Sequence, residues 1–231
     1  MFGYYGSKSK IIKKYTPPMF DEIIEPFAGT AQYSLLYYDR KITLIEKYEV
    51  IVKIFKWLQQ CSKEDVLSAP IMKCGENVDD YNWSCIEQKW LAGFIITGAP
   101  SMPKKTASKW KTVIRPNTQK YKYDLIASSL HKIKHWNIIC GDYRNVENKT
   151  ATWFIDPPYQ YGGEYYKYGN KDLDYNELAN YSLTRKGQII VCENSRANWL
   201  NFKPLTEMQG NKKRTLEVCY EYATTITQQR L

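Results

Sequence analysis

The sequence predicts an α/β domain built on a mostly parallel sheet with helices on both faces. Two observations lead to this prediction. Short apolar runs rich in β-branched residues alternate with stretches whose apolar residues recur at helical spacing, and acidic residues follow the runs. A chain of 231 residues can bury roughly 70–75% of the surface that it exposes when unfolded. We therefore expect one domain with room for an insertion.

The first half of the sheet is predicted by two consecutive strand-helix units. Residues 21–25 form an apolar strand that leads into a glycine turn at residues 26–30, and helical spacing follows at residues 33–37. Residues 42–46 form a second strand that ends at an acid, and a helical face follows over residues 50–58. Strands that alternate with helices in this way favour parallel pairing.

Three more strands are predicted in the second half of the chain, at residues 137–140, 152–155 and 188–193. A helix is predicted between the last two, with a cap at Asp174 and an end at Arg185. Ligands bind beyond the carboxyl ends of parallel strands, at the point where the strand order reverses. Four acids are predicted to share that edge: Glu25, Glu46, Asp142 and Asp156.

The alternation of predicted strands and helices stops in the middle of the chain. Residues 60–134 contain glycines, prolines, tryptophans and a basic run, but no clear alternation of strands and helices. We expect residues 1–59 and 135–231 to form the main domain, and residues 60–134 to form a small, mainly helical inserted subdomain.

Positive charge is concentrated in one segment. The formal net charge is +9, and residues 100–123 carry seven basic residues and no acid, with three aromatic residues among them. Basic side chains neutralise phosphates and aromatic rings stack on bases, so the segment predicts contact with nucleic acid. A solvated loop that simply carries lysines is the alternative. The basic residues are Lys104, Lys105, Lys109, Lys111, Arg115, Lys120 and Lys122.

The composition points away from membranes, disulfides and metals. The mean hydropathy is −0.55, and no apolar run approaches the roughly 18–20 residues that a membrane span needs. We expect a cytoplasmic protein without a membrane partner, with six reduced cysteines. His131 and His135 have the spacing of two ligands on a helix, but without an evident third ligand a basic helix surface is favoured.

The most specific feature is the tetrad Asp156-Pro157-Pro158-Tyr159, directly after an apolar strand. Companion segments occur in order along the chain: residues 2–8, the turn Glu25-Pro26-Phe27-Ala28-Gly29-Thr30, the acid Glu46, Gly141-Asp142-Tyr143 and residues 213–218. With these segments the chain resembles the Dam-like DNA adenine-N6 methyltransferases, which use S-adenosylmethionine. The resemblance covers most of the chain outside residues 60–134.

The resemblance implies a Rossmann-like methyltransferase sheet with a target-recognition insertion. It also implies double-stranded DNA as partner and methyl transfer to N6 of a flipped adenine in a bacterial cell or a phage-infected host, without a metal. Asp156 and the Pro157 carbonyl would accept the amine hydrogens, Pro158 would stiffen the loop, and Tyr159 would stack on the base. The implied cofactor residues are Tyr4, Lys8, Glu25, Phe27, Gly29, Thr30, Glu46, Asp142 and Asp156.

Each motif also has a plain structural interpretation. Asp142 could simply form a turn, residues 2–8 could be an exposed terminal segment, and residues 162–168 could be either a lid or a surface loop. Ala31 stands where the family often has glycine. Two other functions stay open: an RNA adenine-N6 methyltransferase, or a catalytically silent nucleic-acid-binding subunit. Neither the recognition sequence nor a protein partner is predicted.

Overall fold

A computed structural model describes residues 2–209 and 214–223, and within them seven strands form one sheet. The strands are β1 Glu22–Glu25, β2 Lys41–Glu46, β3 Asn137–Cys140, β4 Ala151–Ile155, β5 Gly187–Asn194, β6 Lys203–Gln209 and β7 Arg214–Ala223. Their order across the sheet is β3-β2-β1-β4-β5-β7-β6. Strands β1 to β5 are parallel, and β7 is antiparallel to both β5 and β6. The predicted α/β class with a mostly parallel sheet is confirmed.

All five strands predicted from the sequence are present, with bounds that differ by at most two residues. The strand order reverses between β1 and β4, which lie side by side although two strands separate them in sequence. This reversal opens a crevice at the carboxyl edge of the sheet. Glu25 and Glu46 end β1 and β2, and Asp142 and Asp156 follow β3 and β4. The four acids therefore lie along one edge, as predicted.

The described residues form six α-helices besides several short helical turns: α1 Gln32–Leu36, α2 Glu49–Gln60, α3 Lys63–Leu67, α4 Ile86–Ile95, α5 Thr118–Ser129 and α6 Tyr175–Leu183. The predicted cap of α6 is confirmed. Asp174 Oδ1 accepts hydrogen bonds from the backbone N–H groups of Asn176 and Glu177, at 2.8 and 3.2 Å. The carboxylate thereby satisfies two donors that the first helical turn leaves free.

Hydrophobic packing covers both faces of β4, because successive side chains of a strand point to opposite faces. Phe154 stacks on Tyr33 of α1, with ring centroids 4.3 Å apart and planes 8° apart. On the other face, Trp153 shares a buried cluster with Leu178 of α6. The strand that leads to Asp156 is therefore fixed from both sides, which holds the start of the following loop in place.

Residues 60–134 contain α3, α4 and α5 and pack closely on the rest of the fold. Phe94 of α4 and Ile126 of α5 belong to the same buried cluster as Phe55 of α2. A smaller cluster around Met72 and Ile96 lies apart from this core. Val66 of α3 also belongs to the larger cluster. All three helices thus contribute to the main core, while the division into two domains stays a prediction. In the described part of the chain, no helix is both long enough and apolar enough to cross a membrane.

Candidate active site

A pocket opens at the carboxyl edge of the sheet and encloses about 950 Å³ of empty space, its open mouth included. Residues 2–16 precede β1 and form the N-terminal segment. The pocket is lined by residues 4–8 of this segment and by the loops that follow β1 to β4. It brings together all nine predicted cofactor residues, namely Tyr4, Lys8, Glu25, Phe27, Gly29, Thr30, Glu46, Asp142 and Asp156, together with Pro158 of the tetrad. Pro157 is buried, and Tyr159 does not line the pocket.

The turn after β1 shapes the pocket floor. Gly29 has a φ of +48°, a conformation that side chains other than glycine rarely adopt, and the Tyr4 ring packs 3.4 Å from where its Cβ would be. Phe27 packs its ring on Tyr143, with centroids 4.9 Å apart. The turn therefore brings Gly29 and an aromatic pair into the lining of the pocket.

Glu46 is anchored at the end of β2 by backbone donors. Its Oε2 accepts the N–H of Gly29 and its Oε1 accepts the N–H of Tyr48, both at 2.8 Å. Burial raises the pKa of Glu46, although these backbone hydrogen bonds lower it. Each carboxylate oxygen can accept a second hydrogen bond. Glu46 is thus a fixed acceptor that still has capacity for hydroxyl donors in the pocket.

Asp142 begins the short helix Tyr143–Asn145 and is surrounded by cations. Its Oδ1 accepts the backbone N–H of Arg144 at 3.1 Å, and the Lys47 ammonium lies 3.3 Å from Oδ2. Partial burial opposes ionisation, but the Arg144 backbone and the Lys47 ammonium outweigh it and hold the pKa of Asp142 below its ordinary value. Asp142 therefore lines the pocket as an ionised carboxylate. It also stabilises the turn at the start of the short helix, which is the structural role that the sequence left open.

Glu25 is a buried acid, 2% exposed. Its Oε1 accepts hydrogen bonds from the backbone N–H and the hydroxyl of Ser34, at 2.7 and 2.5 Å. Burial raises the pKa of Glu25 to about 8. At neutral pH the carboxyl group is therefore mainly protonated, in contrast to Asp142 on the same edge.

Asp156, the first residue of the tetrad, forms an ion pair with Lys8 of the N-terminal segment. The Lys8 ammonium lies 2.9 Å from Asp156 Oδ1, and 18% of the Asp156 side chain remains accessible. Burial raises the pKa of Asp156 to about 6, against the lowering effect of Lys8. Lys8 is itself buried, 6% exposed. The N-terminal segment is thus part of the site and not an exposed tail.

The hydroxyl of Tyr159 points away from the pocket, into a buried polar cluster that the sequence did not predict. Tyr159 donates a hydrogen bond to Oε1 of Glu217 on β7, and Tyr15 donates to the same oxygen at 2.6 Å. The Lys8 ammonium lies 4.6 Å from the centre of the Tyr159 ring. Glu217 falls in the late segment 213–218, of which Lys213 lies outside the described residues. Its proximity to the tetrad had no local signal in the sequence.

The loop after the tetrad contributes Tyr166 to the pocket. Its ring packs edge-on against Tyr4 and Tyr5, with centroids 5.9 and 5.1 Å away. The Tyr166 hydroxyl oxygen would lie 1.7 Å from a Cβ placed on Gly6, a residue with φ of +75°. The aromatic loop therefore touches the N-terminal segment beside the pocket. Both interpretations of residues 162–168, a lid and a surface loop, stay open.

The basic segment lies outside the pocket, and its members differ in their surroundings. Lys105 Nζ lies 2.8 Å from Asp79, and Lys120 lies 3.9 Å from Asp124. Partial burial, followed by the nearby charge of Lys122, lowers the pKa of Lys111. Large apolar side chains are exposed within this stretch, at Trp110, Val113, Ile114 and Tyr121. The segment thus combines crowded cations with exposed apolar surface.

Among the described residues, no group of three or more His, Cys, Asp or Glu side chains is arranged to hold a metal ion. His131 lies in the short helix Leu130–Lys132, and His135 lies beyond its end, near the carbonyl oxygen of Arg40 at 3.2 Å.

Comparison with protein-family models finds no match for this chain, and neither does comparison with curated proteins.

Proposed function

We propose that the chain is an S-adenosylmethionine-dependent methyltransferase that modifies N6 of adenine in double-stranded DNA. The observation that carries this proposal is the convergence of the nine motif residues, Asp156 among them, and of Pro158 around one crevice at the reversal of the strand order. The order β3-β2-β1-β4-β5 is also that of doubly wound nucleotide-binding sheets. Both features favour a Rossmann-like methyltransferase domain, with residues 60–134 as its target-recognition insertion.

The residues on the cofactor side of the pocket fit a nucleoside-type ligand. The Gly29 turn carries no side chain that would keep a ligand from the backbone, and Glu46 retains acceptor capacity for ribose hydroxyls. Asp142 is ionised and could accept an amine N–H. Bound there, S-adenosylmethionine would supply a methyl group that its positive sulfur already activates.

On the substrate side, the chain must hold a weakly nucleophilic amine in one orientation. Asp156 is a suitable acceptor because Lys8 favours its ionised form, and part of its side chain is accessible. The Pro157 carbonyl oxygen can accept the second amine hydrogen, and a proline offers no N–H that would compete for it. Alignment of this kind can contribute several kcal/mol to the rate without a metal or a strong base.

The surface of residues 100–123 supports a polyanionic substrate. Partial burial, and after it the nearby charge of Lys122, lower the pKa of Lys111, and neutralisation by phosphates would relieve the repulsion between the two lysines. Exposed Trp110 and Tyr121 offer aromatic faces beside these cations. Together they favour nucleic acid over a small molecule as the group that receives the methyl.

The deciding experiment is incubation with unmethylated duplex DNA and methyl-labelled S-adenosylmethionine, followed by nucleoside mass spectrometry. We expect N6-methyladenine from the parent chain and none from Asp156→Asn, which preserves side-chain volume and removes the charge. Asp39→Asn is the matched control, because Asp39 is exposed and does not line the pocket.

Parallel reactions on matched RNA, and calorimetry with the cofactor, separate the alternatives. Label in RNA but not in DNA would favour the RNA methyltransferase. Cofactor binding without label in either substrate would favour the catalytically silent subunit, and absence of cofactor binding would refute the proposal.

A further inference from the structure

Glu217 is a buried acid in the interior of the sheet. It lies in β7, pairs with Asn194 of β5 and Thr206 of β6, and its side chain is 0% exposed. Burying a carboxyl group in a central strand is costly unless its oxygens are paired. An apolar residue would suit this position better if sheet packing were its only role.

Three groups from two distant parts of the chain converge on one oxygen of Glu217. Tyr15 and Tyr159 donate their hydroxyl hydrogens to Oε1, and the Lys8 ammonium lies 3.6 Å from it. The other oxygen, Oε2, is buried and has no hydrogen-bond partner within the described residues. The contacts of Glu217 are therefore directed at the N-terminal segment and at the tetrad.

We propose that Glu217 is a positioning residue for methyl transfer, acting through the Tyr159 hydroxyl and the Lys8 ammonium. This inference rests on the proposed function. Glu217 does not line the pocket. We therefore expect no direct contact between Glu217 and a bound substrate. Its effect is transmitted by the two side chains that it holds, and both of these contact or belong to the Asp156-Pro157-Pro158-Tyr159 turn.

The first route is the orientation of the Tyr159 ring. A tyrosine ring is free to rotate about two side-chain bonds unless its hydroxyl or its faces are held. Here Glu217 holds the hydroxyl, and Lys8 lies 4.6 Å from the ring centre. A ring fixed in this way can offer an edge or a face to a base without losing further conformational freedom on binding.

The second route is electrostatic. Lys8 lies between two carboxylates, 2.9 Å from Asp156 and 3.6 Å from Glu217. A single ammonium group therefore forms ion pairs with both acids. The negative charge of Glu217 raises the pKa of Asp156 and opposes the effect of Lys8. Glu217 therefore sets how strongly Lys8 holds Asp156 in the ionised, hydrogen-bond-accepting form.

Besides Lys8 and Glu217, other ionisable groups face Asp156, and Glu217→Gln leaves all of them in place. They are Tyr15 from the N-terminal segment, Glu25 from β1, Tyr159 and Tyr166 from the loop after β4, and Cys192 and Glu193 from β5.

The principal test compares Glu217→Gln with Glu221→Gln. The glutamine keeps the volume and one acceptor oxygen but removes the charge. Glu221 is the matched control because it lies four residues along β7 and also accepts a hydroxyl hydrogen bond from the N-terminal segment, from Thr16 at 2.6 Å. We expect Glu217→Gln to lower kcat for DNA methylation by roughly ten-fold through the first route, the size of the lost charge-assisted hydrogen bond from Tyr159. The second route adds nothing to this loss, because Asp156 becomes more fully ionised in the variant. Cofactor affinity and the Glu221→Gln kinetics should equal those of the parent.

A second measurement does not depend on catalysis. The carboxyl carbon of Asp156 is titrated by NMR without cofactor in the parent, in Glu217→Gln and in Glu221→Gln. Removing the Glu217 charge should lower the Asp156 pKa, and the control should leave it unchanged. If the parent methylates no nucleic acid but this pKa moves, the proposed function fails while the coupling between Glu217 and Asp156 stands.

Tyr159→Phe tests the first route and keeps the inference falsifiable if Glu217→Gln does not fold. It should lower kcat with cofactor binding unchanged, and adding Glu217→Gln should cost less than the two single effects combined, because both changes remove the same hydrogen bond. A parent-like kcat in Tyr159→Phe overturns the first route. An unmoved Asp156 pKa in Glu217→Gln overturns the second.

Discussion

Replacing Lys8 by methionine should move the pH dependence of the site to higher pH. Lys8 is the cation that contacts Asp156, at 2.9 Å, and both side chains are largely shielded from water. Methionine keeps most of the side-chain length and apolar volume but removes the charge. The variant leaves Asp156 and Glu217 as two acids that share no cation.

The size of the effect follows from the charges that remain. A nearby opposite charge lowers the pKa of an aspartate by about 1–3, so loss of Lys8 should raise the pKa of Asp156 from about 6 to roughly 7–9. With a pKa of about 8, roughly a quarter of Asp156 would be ionised at pH 7.5, whereas nearly all of it is ionised in the parent. Methylation that needs ionised Asp156 should fall about four-fold at that pH for this reason and recover towards pH 9.5.

The assay is kcat/KM for label transfer to duplex DNA between pH 5.5 and 9.5, with melting curves to show that the variant is folded. Lys10→Met is the control, since Lys10 is an exposed lysine two residues away. The acidic limb of the Lys8→Met profile should lie at higher pH than that of the parent and of Lys10→Met. A folded Lys8→Met protein with an unshifted or lower acidic limb would refute the electrostatic role given to Lys8.

Three other predictions concern burial, backbone geometry and surface charge. The folded pKa of Glu25 is raised to about 8 from 4.5, so stability present at low pH is lost as the pH rises. Between pH 6 and 9, urea unfolding should show a loss of about 3 kcal/mol in the parent that Glu25→Gln lacks, and equal losses would contradict this. Gly6→Ala should lower the melting temperature, because its Cβ would overlap the Tyr166 hydroxyl; Tyr166→Phe should restore part of the loss, and a parent-like melting temperature of Gly6→Ala would be the contrary result. Lys111→Gln should reduce the salt dependence of DNA binding by about one unit of log–log slope. Lys105→Gln should reduce it less, because its ammonium already lies 2.8 Å from a carboxylate, and equal slopes would contradict this difference.

The sequence predicted those parts of the fold and site that follow from a local residue pattern together with the parallel arrangement of the strands. Apolar runs predicted β1 to β5, and a single carboxylate predicted the start of α6. The meeting of Glu25, Glu46, Asp142 and Asp156 then followed from geometry, because parallel strands end at a common edge. The site could be predicted to this extent without knowledge of any side-chain contact.

The antiparallel strands β6 and β7 were not predicted, and the reason is physical. β6 contains Pro204, which cannot donate a ladder hydrogen bond, and its pairing with β7 is irregular between Pro204 and Thr206. In β7, Glu217 reads as a surface acid because charged residues are seldom fully buried. Only the packing of β7 against β5 makes it a neighbour of Tyr159, which is 58 residues away in sequence.

The acids around the pocket differ in protonation state, in hydrogen-bond partners and in accessibility. These differences decide which of them can accept a hydrogen bond from the amine of a substrate. Glu25 is mainly protonated at neutral pH, and each oxygen of Glu46 is already held by a backbone N–H. Asp142 is held by Arg144 and Lys47. Asp156 combines an ionised carboxylate, a single lysine contact on Oδ1 and a side chain that is 18% accessible. An amine that needs a strong acceptor with free capacity is therefore served best by Asp156, and the surrounding acids are better suited to fixing a ligand than to orienting a reacting group.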